Sequence, residues 1–208
     1  MDNGRGPRTV PRELYGQFSY PIIAVSTCGT SSRGTVRLDP ARTVAIRAGA
    51  VLALAGMAPG FLMTSPTPDQ LADFRGIAGA HTVGVPDGGP GLPLVGWSTL
   101  GGDLRVPHFV GTHALQLLPL LLLLLVFELA AGRVARPADP RVRRDLMTTA
   151  AAGYTGLLAL LTWQALRGQP LVAPDALTVA AAGALTVLVV AGAVVVLRER
   201  RPVLTPGR

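Results

Sequence analysis

The stretch that decides the fold is Gly101-Gly-Asp-Leu-Arg-Val-Pro-His-Phe-Val-Gly-Thr-His-Ala-Leu-Gln116, which runs straight into Leu117-Leu-Pro-Leu-Leu-Leu-Leu-Leu-Leu-Val-Phe127. A run this rich in leucine predicts a helix that crosses a bilayer, which takes roughly 20 mostly apolar residues. Polar and ionisable groups enter its first half, and lipid makes such groups costly unless they face protein, water or a ligand. Two of the three histidines of the chain stand there.

Working outward, the same criterion predicts three further spans. Residues 176–197 and 146–166 carry no charged side chain. The leucine-rich span covers 107–129 and includes His108, His113, Gln116 and Glu128. Pro107 suits its first turn, and Pro119 is tolerated inside it where neighbours satisfy the freed carbonyl. Residues 44–63 form the remaining span, with Arg47 snorkelling near one end and Pro59 near the other. The fold predicted is all-α, a four-helix transmembrane bundle with a long Gly/Pro-rich external loop at 64–106.

Composition agrees. The 208 residues are 49% hydrophobic and 15% charged, with a mean hydropathy of +0.43. That charge is well below the quarter usual in soluble domains. The net charge of +7 comes entirely from arginine, since the chain has no lysine. These arginines punctuate apolar segments rather than forming a basic face, so they read as topology signals and not as a nucleic-acid surface.

Five of them, Arg133, Arg136, Arg141, Arg143 and Arg144, fall in the loop 130–145, which the positive-inside rule makes cytoplasmic. Threading from that loop puts sixteen of the nineteen inside and leaves Arg75, Arg105 and Arg167 outside. Both termini are then cytoplasmic in the cell membrane, with 198–208 a basic tail. A three-span reading would place the N-terminal arginines outside, so the charge pattern favours four.

Residues 1–43, rich in Gly, Pro, Ser, Thr and Arg, predict an irregular, disordered tail. Two other expectations for it are a lipoprotein signal ending at Cys28 and an incorrectly assigned start. The signal reading suffers from a short apolar stretch broken by Pro21 and from Thr27 before the cysteine. A single cysteine makes no intrachain disulfide and no CxxC metal site.

In the external loop, Thr67, Pro68 and Gln70 spell a capping box, and Leu71, Phe74, Ile77 and Ala78 recur at helical spacing. They predict a short amphipathic helix at the interface. The run 80–93 is so dense in Gly and Pro that it predicts a compact turn-rich loop. Its glycines are not a phosphate loop, because no GK[ST] follows. Trp97 suits an interfacial position.

At 100° per residue, Arg105, His108, Thr112, His113 and Gln116 share one arc of roughly 140° on the second span. Such a stripe must face protein or a cavity. The leading expectation is that it hydrogen-bonds the outer loop, so that leucine at His113 or Gln116 would loosen that loop. The alternatives are a ligand site, with haem or quinone held by His81, His108 and His113, and proton or ion movement. The i, i+5 spacing of His108 and His113 does not chelate one metal from a single helix. Glu128 is expected to meet the loop arginines. No nucleophile set or paired carboxylate site stands out, so an enzyme is the weaker reading. The small residues Ala180-Ala-Ala-Gly-Ala and Ala191-Gly-Ala permit close packing within the bundle, to a second copy or to a membrane partner.

The passages Phe61-Leu-Met-Thr-Ser-Pro-Thr-Pro, Ala80-His-Thr-Val-Gly-Val-Pro-Asp-Gly-Gly-Pro-Gly-Leu-Pro, Gly96-Trp-Ser and the Gly101–Gln116 stretch quoted above resemble a group of uncharacterised bacterial multi-pass membrane proteins. The resemblance covers residues 42–208 and implies a membrane protein, with no activity attached. It also implies further helices ahead of Arg42, where this chain has its irregular tail.

Overall fold

Seven elements form in the computed structural model, which describes residues 39–74, 76, 78–130 and 139–199. They are α1 (Pro40–Thr64), α2 (Pro68–Ala72), β1 (Thr82–Val83), β2 (Gly102–Asp103), α3 (Arg105–Ala130), α4 (Pro140–Leu166) and α5 (Ala176–Glu199). The readings for the tail up to residue 38, Cys28, Arg75, Ile77, Arg133, Arg136 and residues 200–208 lie outside the described residues. Four helices, α1, α3, α4 and α5, are long and apolar enough to cross a membrane.

The helices outrun the apolar spans read from the sequence, because local capping starts them early. Asp139 accepts a hydrogen bond from the Arg141 N–H at 2.8 Å, and Pro140 takes the first helical position, where its missing N–H costs nothing. Consequently Arg141, Arg143 and Arg144 ride the first turns of α4 instead of lying in a loop. Pro40 likewise takes the first position of α1, with no side-chain capping bond from Asp39. At its other end α1 stops at Thr64, just before Ser65-Pro66, since a residue preceding proline is pushed out of the α region.

Why α1 folds against α3 is visible along one face. Its buried residues are Ala41, Ala45, Gly49, Leu52, Gly56 and Pro59, recurring every three or four positions. Small residues let two backbones approach, which drives association where lipid is as apolar as any side chain. Gly56 meets Gly111 of α3 so closely that a Cβ on either would strike the other's backbone. Gly49 sits on the Ala114 and Leu115 backbone in the same manner. Among the long helices, the tightest backbone-to-backbone approach is therefore made by the first. The sequence signal was Ala41-x3-Ala45-x3-Gly49 followed by Gly56-x3-Gly60.

Helix α4 completes the core through Met147, Ala151 and Leu158, which join Ala41, Ala45 and Leu52 of α1 and Ala114, Leu118 and Leu122 of α3. Tyr154 adds a polar tie, its hydroxyl donating to the Val110 carbonyl at 2.5 Å. Helix α5 contributes nothing to that cluster and lies against α4, where Gly153, Gly156 and Thr149 receive Val189, Leu185 and Gly192. Gly183 instead faces open space. Successive helices alternate in direction, so residues 65–104 gather at one end and the first turns of α1 and α4 at the other.

Candidate functional site

Residues 65–104 build a cap from three side-chain hubs. The first is Gln70. The capping box is formed as the sequence predicts, with Thr67 accepting from the Gln70 N–H and Gln70 Oε1 accepting from the Thr67 N–H. Helix α2 nevertheless ends at Ala72, short of the run through Ala78. The Gln70 amide turns outward from it and pairs with both backbone groups of Gly79, at 2.8 and 2.9 Å. Gly79 has φ +91 and lies so close to the Met63 carbonyl that a Cβ would collide with it. This seats the cap on the last turn of α1.

Asp87 is the second hub. It accepts from the His81 N–H at 3.1 Å, the Thr82 N–H at 2.9 Å, His81 Nδ1 at 2.5 Å and the Thr82 hydroxyl. Burial opposes its ionisation, but these donors outweigh burial and hold the carboxyl at about 2. They close a tight turn with Gly84 and Gly88 at positive φ. An open cleft of about 560 Å³ lies between this turn and α2, with Asp69, Gln70, Thr82 and Val85 on its walls.

The third hub, Asp103, ties the cap to α3. Strand β2 pairs antiparallel with β1, Thr82 opposite Asp103. The Asp103 side chain, only 1% exposed, takes four N–H groups. They come from Ser98 at 2.8 Å, the Arg105 backbone at 3.0 Å, Arg105 Nε at 3.0 Å and an Arg105 terminal nitrogen at 2.6 Å. That terminal nitrogen also donates to the Gly96 carbonyl at 2.6 Å. Burial again opposes ionisation, while the Arg105 and Ser98 donors and the Arg105 charge hold the carboxyl below its usual range. Beside this hub Gly102 lies flat on the Ala165 carbonyl of α4, with no room for a Cβ.

The connection from α4 to α5 reaches the cap as well. Gly84 and Gly168, both at positive φ, approach within ordinary contact. Arg167 stacks over Trp163 at 4.5 Å and pairs with Asp175 at 2.7 Å. Asp175 accepts from the Thr178 N–H at the start of α5. Arg167 first, then Thr178, pull its carboxyl far below the usual range.

The stripe on α3 divides among different partners. Arg105 reaches the cap as described. His108 Nδ1 donates instead to the Gly56 carbonyl of α1 at 2.8 Å, beside the Gly56–Gly111 crossing. Thr112 donates to the His108 carbonyl, and His113 Nδ1 to the Phe109 carbonyl at 2.8 Å. With its nitrogen turned toward them, the Gln116 amide donates to the Thr112 and His113 carbonyls at 3.2 Å. The expectation that the whole stripe bonds the loop is thus corrected. Short polar side chains on a helix find the carbonyls of the preceding turn first.

Beyond Arg105, the residue of α3 that meets the cap is apolar. Phe109 meets Trp97 of the cap edge-on, with ring centroids 5.6 Å apart, and stacks on His113 at 4.0 Å. Sequence reading singled out Trp97 but not this partner. It also gave no role to Asp103 or Asp87. Their signal was a lone carboxylate among glycines with donors two to six residues away.

The three imidazoles have three different partners: Asp87, Gly56 and Phe109. Among the described residues no three His, Cys, Asp or Glu side chains gather as a metal-binding group. No protein-family model, curated protein or solved structure matches the chain.

Proposed function

We propose that this chain is a multi-pass protein of the bacterial cell membrane with a structural or accessory role. Its folded cap is displayed outside, and both termini face the cytoplasm. The observation that carries the reading is the construction of the cap. Gln70 through Gly79 and Asp103 through Arg105 tie residues 65–104 to the ends of α1 and α3, Gly102 packs on α4, and Asp87 braces the turn at 81–87 within the cap, which is the work of a rigid platform. Arginine placement supports the orientation. Arg105 and Arg167 are at the cap end, while Arg42, Arg47, Arg141, Arg143, Arg144 and Arg198 are toward the other. The likeness to uncharacterised bacterial membrane proteins, carried by motifs concentrated in the cap and the first half of α3, fits a family defined by this platform.

The test is a cysteine placed at Gly89, where nothing approaches within 4 Å, with Cys28 replaced by serine. A membrane-impermeant maleimide should label it in intact cells. Labelling only after the cytoplasmic side is opened would invert the orientation and remove the cap from the exterior.

A further inference from the structure

We infer that the groove between α1 and α3 at the end away from the cap holds one acyl chain of an anionic phospholipid, its phosphate on Arg42. The groove encloses about 320 Å³ and is walled by Ala45 and Ile46 of α1 and by Pro119, Leu122, Leu123 and Val126 of α3. That volume is within the ~300–1,000 Å³ of small-ligand sites. From Val126 down to Pro119 the α3 wall rises through seven residue steps, about 10 Å. Toward the cap, Gly49 packs on the Ala114 and Leu115 backbone and leaves no space between the two helices.

Charge at the mouth selects the headgroup. Arg42 lines the groove one turn before Ala45 and Ile46, and it is exposed. No carboxylate among the described residues pairs with it. Arg143 of α4 is brought beside the start of α1 by its 3.6 Å pairing with Asp39. The nearest acid on α3, Glu128, is about 200° round the helix from Val126 and so is turned from the groove. An apolar slot with a guanidinium at its lip matches an acyl chain under a phosphate, and basic pockets between membrane helices take anionic headgroups. A zwitterionic lipid offers the same chain but sets its own cation against Arg42.

This rests on the reading of the chain as a membrane protein, but not on its orientation. Native mass spectrometry of the full chain in detergent, titrated with phosphatidylglycerol and with phosphatidylcholine, tests it separately. Phosphatidylglycerol should be retained in preference, as a single adduct. Arg42→Gln should lower that preference by about five-fold. Leu123→Trp, which fills the slot from its rim, should lower adducts of both lipids, and Leu188→Trp on the outward face of α5 should change neither. Equal retention of the two lipids, or a preference that survives Arg42→Gln, overturns the assignment. So does retention of neither lipid, which would mean that protein closes the groove; a second copy there would show directly as a dimer mass. A reversed result at Gly89 leaves these outcomes untouched, because detergent has no sides.

Discussion

Replacing Asp103 by alanine is expected to release the cap from α3 without preventing the helices from inserting. The carboxylate holds four N–H groups, and two kinds of loss follow its removal. The Ser98 N–H belongs to a residue 6% exposed, so leaving it unpaired costs about 1–3 kcal/mol. Arg105 loses its charged partner, but its side chain is 31% exposed and can rehydrate. That discounts the ion pair to about 1 kcal/mol. The total is about 3 kcal/mol, at the lower edge of what breaking a buried pair costs. It raises the ratio of undocked to docked cap about a hundred-fold.

Trp97 reports this equilibrium because it rests against Phe109 when the cap is docked. With Trp163 replaced by phenylalanine, acrylamide quenching of the remaining tryptophan should rise in the order parent, Asp103→Asn, Asp103→Ala. Asparagine keeps an oxygen for the Ser98 N–H but puts an NH2 where the other oxygen accepts the Arg105 backbone N–H, so it loses that bond as well as the charge. Gln116→Leu is the control, since its partners are carbonyls of its own helix. If Asp103→Ala is quenched no more than the parent, Asp103 does not anchor the cap.

Two further outcomes follow from other contacts. Acid should loosen the turn at 81–87, because the Asp87 carboxyl lies at about 2 when folded against its ordinary 3.8. A depressed pKa gives stability that is full above the ordinary value and is lost as pH falls from about 4 to about 2. Hydrogen exchange of the His81 and Thr82 amides should accelerate over that window, and Asp87→Asn should flatten the response; an unchanged profile refutes the hub. Gly111→Leu should force α1 and α3 apart at a cost of at least about 1–3 kcal/mol. Gly183→Leu, facing open space, should cost nothing. Equal unfolding of the two variants in detergent would show that the Gly56–Gly111 crossing is not the seam of the bundle.

Parts of the cap could be read from the sequence and parts could not. The Thr67–Gln70 capping box was legible because both partners lie three residues apart and need nothing else. Arg105 was legible as a group that must leave lipid, and Trp97 as one suited to the interface. Asp103 was not, because its role needs Ser98 and Arg105 to converge on it and Gly102 to lie flat on Ala165. The destination of the Gln70 amide needed the Gly79 turn, nine residues on, to come back to it.

The sequence alone determined that four long helices form and roughly where they begin and end. Apolar length and capping act within a few residues, and Asp139-Pro140 or Ser65-Pro66 carry their information locally. Only the tertiary structure decided which faces meet. Lipid-facing and protein-facing leucines are alike in polarity, so hydropathy cannot separate Leu118 and Leu122 in the core from Leu123 and Leu124 outside it. The choice falls to shape, in the gap that Gly56 and Gly111 leave for each other's backbone. It then falls to the few polar groups that join one helix to another, His108 to Gly56 and Tyr154 to Val110.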